Sequence, residues 1–195
     1  MDPQRRCVFL DRDGVLVEDR GLMTQPEDFR ILPGAPEALR MLQAAGFGLV
    51  VVSNQAVVAR GLLSETEMLA LQDHIGRLFQ AAGAPRLDRF YACPHHPAAT
   101  LPAYRQDCPC RKPRPGMLLR AAQELGLDLA RSFMVGDRPT DLQAGNRAGC
   151  RSIWIQSGRH RDRPIETNED LDPQPAVAFV CGSLLEAATW IREQR

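Results

Sequence analysis

Residues 7–14 read CVFLDRDG: four apolar residues run straight into two aspartates spaced two apart and a glycine. A short apolar run closed by turn residues reads as a buried β-strand, so the polar tail falls at its carboxyl end. The same pattern recurs at GLVVVS (48–53), RFYA (89–92), SFMVG (132–136), RSIWI (151–155) and AVAFV (176–180). Helical stretches separate these runs. Ser64 and Glu67 predict a capping box ahead of Met68, Leu71, Ile75, Leu78 and Ala82, which recur at helical spacing, and Ser183 with Glu186 repeats the device before a last helix. Pro36 suits the first position of a helix that carries Leu39 and Leu42 and ends at Gly46, and Pro115 opens another that Gly126 closes. Strands and helices in alternation specify the α/β class, with a central parallel sheet wrapped by helices. The polar, proline-containing stretch from Gln156 to Pro175 reads as a surface loop, and no internal repeat is visible.

In an open parallel sheet, ligands bind outside the carboxyl ends of the strands. DRDG follows the first strand, SNQ the second, a Cys/His cluster leading to RKP the third, and GDRPTD the fourth. If the first strand persists through Asp11 and Asp13, both carboxylates point to one side. Confined at 4 Å they would repel by about 4 kcal/mol at an effective dielectric near 20, so a cation is implied. Asp137 and Asp141, one helical turn apart, add the hard oxygen ligands that magnesium takes. Lys112 supplies positive charge, Ser53 a hydroxyl, and the amides after Asp11 and Ser53 complete a cradle suited to phosphate. A lone DxD is more often a solvated turn and a lone lysine is usually surface. Four such groups at successive strand ends carry the reading.

The chain has 195 residues, 44% of them apolar, which suits one domain over 1–195 with an inserted excursion at 93–110. Lysine plus arginine number 24 and so do aspartate plus glutamate, so no net field draws nucleic acid or an anionic membrane. No stretch resembles a secretory leader or a membrane span, and the expectation is a soluble, cytoplasmic monomer acting on a small molecule. Six cysteines without a leader favour a metal site over disulfides for Cys93, Cys108 and Cys110, whereas Cys7, Cys150 and Cys181 sit in or beside apolar runs and read as core. With His95 or His96 the three make a closed tetrahedral zinc complement with no open position, hence a structural site. The residues alone do not choose between the two histidines. A disulfide within CPC is strained. A nucleic-acid knuckle would want interleaved basic and aromatic residues, and this loop offers chiefly Tyr104 and Arg105.

The ordered set DRDG, SNQ, RKPRPG and GDRPTD resembles the four motifs of the haloacid dehalogenase-type phosphohydrolases, over residues 9–141 or so. The resemblance implies a three-layer Rossmann-like fold, with Asp11 as nucleophile and Asp13 as general acid and base. Ser53 and Lys112 would steady the phosphoryl group, and Asp11, Asp137 and the backbone carbonyl of Asp13 would hold Mg²⁺, with Asp141 orienting Lys112 or the metal's waters. YACPHHP, a long loop, CPCRKPRPGMLL and MVGD are similar to the zinc-containing branch of heptose bisphosphate and histidinol-phosphate phosphatases, and the twelve residues between His95 and Cys108 favour the heptose side. That likeness implies Zn²⁺ on Cys93, His95, Cys108 and Cys110, no large cap domain, and a sugar bisphosphate substrate on the way to nucleotide-activated heptose for lipopolysaccharide or surface polysaccharide. Substrate would be read by Asp19, Arg20, Gly21 and Leu22, by Ser53, Asn54, Gln55 and Ala56, and by Arg111, Lys112 and Arg138. Gly21-Leu22 and Ala56-Val57 depart from the branch's usual Gly-Tyr and Ser-Gly, at positions that face the sugar.

Overall fold

The computed structural model describes residues 5–156 and 175–194, so the loop expected between Gln156 and Pro175 lies, its two end residues apart, outside the described residues. Six strands form one sheet: β1 (Cys7–Leu10), β2 (Gly48–Asn54), β3 (Arg89–Cys93), β4 (Phe133–Gly136), β5 (Arg151–Ile155) and β6 (Phe179–Cys181). All five pairings are parallel and the spatial order is β3-β2-β1-β4-β5-β6. The chain moves outward from β1 to β3, then returns to start again at β4 on the other side. That reversal leaves a crevice at the carboxyl ends of β1 and β4.

The period-two alternation of the strands sorts two apolar layers. Val8, Leu10, Leu49, Val51, Phe133 and Val135 face α1 (Ala35–Ala44), α3 (Glu65–Ala81) and α6 (Leu184–Glu193). Cys7, Phe9, Val50, Val52 and Met134 face α4 (Gly116–Leu125) and α5 (Pro139–Ala148). With both faces covered, the strands can be apolar throughout, as their sequences are. A short helix, α2 (Ala56–Ala59), continues directly from β2 and packs Val57 and Val58 on Met68.

Ser64 and Glu67 close their capping box as expected. At the last helix the device is shifted. Ser183 accepts from the Glu186 N–H, but Glu186 reaches back to the N–H of Gly182 rather than to that of Ser183. Pro36 is second in α1, after Ala35, and Pro115 is the N-cap of α4 rather than its first residue. The last strand is paired over Phe179–Cys181, later than the apolar run 176–180, because its register is set by Ile153 and Ile155 of β5. Cys7, Cys150 and Cys181 are all buried free thiols.

Candidate active site

β1 stops at Leu10, so Asp11 and Asp13 do not share a strand face as the spacing suggested. Asp11 keeps one ladder bond, its N–H donating to the Val135 carbonyl at 3.0 Å, and then the chain turns. The turn separates the two carboxylates. Asp13 is clasped by its neighbour Arg12, with Nε to Oδ1 at 2.7 Å and Nη2 to Oδ2 at 2.8 Å. Asp11 instead joins Asp137 and Asp141, whose carboxylate oxygens lie with its own inside a 4.8 Å cluster. Gly14 makes this possible. Its φ is +87°, and a Cβ there would fall 1.9 Å from Asp137 Oδ2, so any side chain would push the metal-type carboxylate away.

Lys112 is buried at the centre, and its ammonium donates to Asp11 Oδ1 at 2.6 Å, Asp141 Oδ1 at 2.7 Å and the Val52 carbonyl at 2.8 Å. All three N–H donors are therefore taken by the protein. Its backbone is fixed as well: the Lys112 N–H donates to Asn54 Oδ1 and Asn54 Nδ2 donates to the Lys112 carbonyl, both at 3.0 Å. Asp141 sits at the third position of α5, where Oδ2 accepts the N–H of Arg138 at 3.0 Å, so one carboxylate caps the helix and steadies the lysine together. Burial first, and the neighbouring acids second, push the Asp11 carboxyl up to about 7 despite Lys112, and Asp137 up to about 9. Against its burial, Asp11 and Asp141 together hold Lys112 above its ordinary value. Three buried carboxylates face one ammonium, an acid excess of two. That donor set, hard oxygens converging from three sides, fits a divalent cation such as Mg²⁺.

These groups form the floor of a cavity of about 620 Å³. Asp13, Asp19, Gly21, Leu22, Ser53, Asn54, Gln55, Ala56 and Arg138 line it, as expected from the sequence, together with Asp11, Lys112, Asp137 and Asp141. Gln55 donates to Ser53 Oγ at 2.7 Å, and Arg138 binds Asp19 at 3.0 Å across the mouth. Two expected contact residues are elsewhere. Arg20 is exposed and Arg111 is buried, and neither lines the cavity; the Arg111 guanidinium donates to the His95 carbonyl at 3.1 Å. Asp11 and Asp137 of the expected Mg²⁺ set lie together in the cluster with Asp141, while the carboxylate of Asp13, whose backbone carbonyl was the expected ligand, stays with Arg12. Arg12, Arg60 and Trp154 also line the cavity and were not singled out from the sequence. Trp154 is placed by the register of β5 and donates Nε1–H to the Asp137 carbonyl at 3.2 Å, a tie no linear pattern encodes.

The second cluster lies at the end of β3. The sulfurs of Cys93, Cys108 and Cys110 are 2.8–3.2 Å apart, and His95 Nδ1 is 3.8 Å from Cys93 and 3.6 Å from Cys110. All three are free thiols, spaced well beyond an S–S bond of about 2.05 Å. Contact with Cys93 above all pulls the Cys110 thiol down to about 5, whereas its hydrogen bond to Cys110 pushes Cys93 up and burial pushes Cys108 up. His96 is turned away, its Nδ1 accepting the Ala98 N–H at 3.0 Å. The structure thus selects His95, and the Cys₃His set fits zinc. Tyr104 and Arg105 are engaged within the protein, by Glu65 and by the Ala99 carbonyl.

A parallel sheet with carboxylates gathered at its switch point and a lysine between them defines a haloacid dehalogenase-type hydrolase, and a HAD-hydrolase-like family model matches residues 109–187. The chain is 44% identical over 181 residues to the D-glycero-beta-D-manno-heptose-1,7-bisphosphate 7-phosphatase of Photorhabdus laumondii, covering 92% of each. It is 36% identical over 190 residues to the protein of that name from Escherichia coli K12, covering 97% of this chain and 95% of that one. A solved D,D-heptose 1.7-bisphosphate phosphatase from B. bronchiseptica, complexed with magnesium and phosphate, superposes with a TM-score of 0.78 at 31% identity, over 97% of this chain and 99% of that one. The chain belongs to the heptose bisphosphate phosphatase family of HAD-type hydrolases, and it is a phosphoric monoester hydrolase. No helix among the described residues is long and apolar enough to cross a membrane.

Proposed function

We propose that this enzyme removes the 7-phosphate of D-glycero-D-manno-heptose 1,7-bisphosphate through an aspartyl-phosphate on Asp11, with Mg²⁺ as the catalytic and Zn²⁺ as the structural cation. The observation that carries the chemistry is the Lys112 ammonium bridging Asp11 and Asp141 on the cavity floor, beside Asp137. It holds one carboxylate oxygen of Asp11 and leaves the other to attack.

An Asp11 oxygen attacks phosphorus, and the bond from phosphorus to the sugar oxygen breaks. Asp13, protonated once it leaves the Arg12 clasp that occupies both its oxygens here, gives its proton to that leaving oxygen. In the second half Asp13 takes a proton from water, the hydroxide displaces Asp11 from phosphorus, and inorganic phosphate leaves. Lys112 opposes the charge of the phosphoryl group by its field, since its donors are occupied. Mg²⁺ held by Asp11, Asp137 and Asp141 would supply the charge that lets a carboxylate approach an anionic ester. The sugar assignment is supported by the relatives' names and by the long zinc excursion.

The test is a panel of phosphate esters assayed for released phosphate: both anomers of the heptose bisphosphate, histidinol phosphate and common sugar phosphates. Turnover of a heptose bisphosphate should exceed that of histidinol phosphate by at least about tenfold in kcat/KM, and Asp11→Asn should cost at least about 10³-fold. A tenfold preference for histidinol phosphate would overturn the substrate, and an active Asp11→Asn enzyme the mechanism.

A further inference from the structure

Four basic side chains line the cavity: Arg12, Arg60, Lys112 and Arg138. Three are matched inside it. Arg12 meets Asp13 at 2.7 Å, Lys112 meets Asp11 and Asp141 at 2.6 and 2.7 Å, and Arg138 meets Asp19 at 3.0 Å. Arg60 is the exception. It is exposed, its N–H closes α2 on the Ala56 carbonyl at 3.0 Å, and its guanidinium meets no carboxylate among the described residues. An uncompensated cation on the wall of a cavity that is otherwise acidic or neutralised marks where an anion is received.

Its position suits the far end of a ligand. α2 starts one residue after Gln55, so Arg60 stands one four-residue helix, a rise of about 6 Å, beyond the strand end that carries Ser53. The segment is anchored by the zinc excursion: the Leu101 N–H donates to the Ala59 carbonyl at 3.1 Å, and the Leu101 side chain packs 3.5 Å from where a Cβ of Gly61 would stand. Tyr104 reaches past α2 to Glu65 at 2.9 Å. The backbone that carries Arg60 is therefore fixed on two sides while its side chain stays available. A guanidinium offers a planar pair of donors that matches a phosphate.

We propose that Arg60 binds the non-reacting phosphate of the substrate and so sets the preference for a bisphosphate over a monophosphate. This rests on the bisphosphate reading above.

The experiment compares the purified wild type with Arg60→Gln and Arg60→Lys, using heptose 1,7-bisphosphate and heptose 7-phosphate, which keeps the reacting end and lacks the other. Wild type should favour the bisphosphate by about tenfold or more in kcat/KM. Arg60→Gln should lose about tenfold on the bisphosphate, chiefly through KM, and under about twofold on the monophosphate, with Arg60→Lys in between. Melting temperature and zinc content, measured on each variant, should match wild type. A wild-type preference that survives in Arg60→Gln removes Arg60 from the role, and so does an equal loss on both substrates. Equal turnover of the two substrates by wild type would remove the bisphosphate reading itself, and this inference with it.

Discussion

Asp11 and Asp137 are costly where they are, and the cost has a sign. Their carboxyls titrate near 7 and 9 instead of the usual 3.8, so between about pH 4 and 9 the folded chain holds protons that the unfolded chain has released. The contribution of these two groups to the stability of the metal-free protein is therefore greatest below the unfolded value and is lost as pH rises through the folded ones. Mg²⁺ competes with those protons, so the rise in melting temperature it produces should be larger at pH 8 than at pH 5.5. An equal rise at both would remove the acidic cluster as its site. Gly14 is the other residue on which the site depends. Gly14→Ala places a methyl in the space of Asp137 Oδ2 at a φ of +87°, and should cost about 10²-fold in kcat by displacing that carboxylate. Wild-type kinetics in Gly14→Ala would show that Asp137 tolerates the shift.

Among elements, the excursion from Cys93 to Cys110 ties the most parts of the site together. It docks on α2 through Leu101, closes on its own Cys₃His set, and delivers the chain to Lys112, whose peptide Asn54 then clasps from both sides. Gly116 donates to the Pro109 carbonyl at 2.9 Å and lies so close to it that a Cβ would be 2.2 Å from that oxygen, which draws α4 against the cluster. Loss of a buried ligand from such a site belongs with substitutions that cost more than about 4 kcal/mol. Cys108→Ser should thus lower the melting temperature by roughly 10 °C and abolish stoichiometric zinc, with activity falling as Lys112 is released. Zinc retained at one per chain in Cys108→Ser would mean the metal sits elsewhere. Helix ends at Ser64 were readable from residue types, because a cap is a local hydrogen bond. The shifted cap at Gly182 was not, because it depends on how β6 enters the turn.

For the whole molecule, the two apolar layers make the site rigid without touching it. Leu39 is fully buried in the layer of α1, α3 and α6, far in the chain from every cavity residue. Leu39→Ala should cost about 2–5 kcal/mol in denaturant unfolding while leaving kcat/KM of the folded enzyme within about twofold. A larger kinetic loss would show that the sheet transmits strain to its carboxyl edge.

What residue order alone determined is the class of fold, the strands, the acids and lysine at their ends, and the soft ligands of the zinc set, because each is written in local spacing: period two, period 3.6, or a donor type at a turn. The withdrawal of Arg111 from the cavity, the meeting of Asp141 with Asp11 and Asp137, the turning of His96 away from the three cysteines, and the arrival of Arg60 and Trp154 on the cavity walls were decided only by the tertiary structure. Each depends on where a side chain of one element meets the backbone or charge of another. Linear spacing constrains a residue's direction within its own strand or helix, and only packing sets which partner that direction finds.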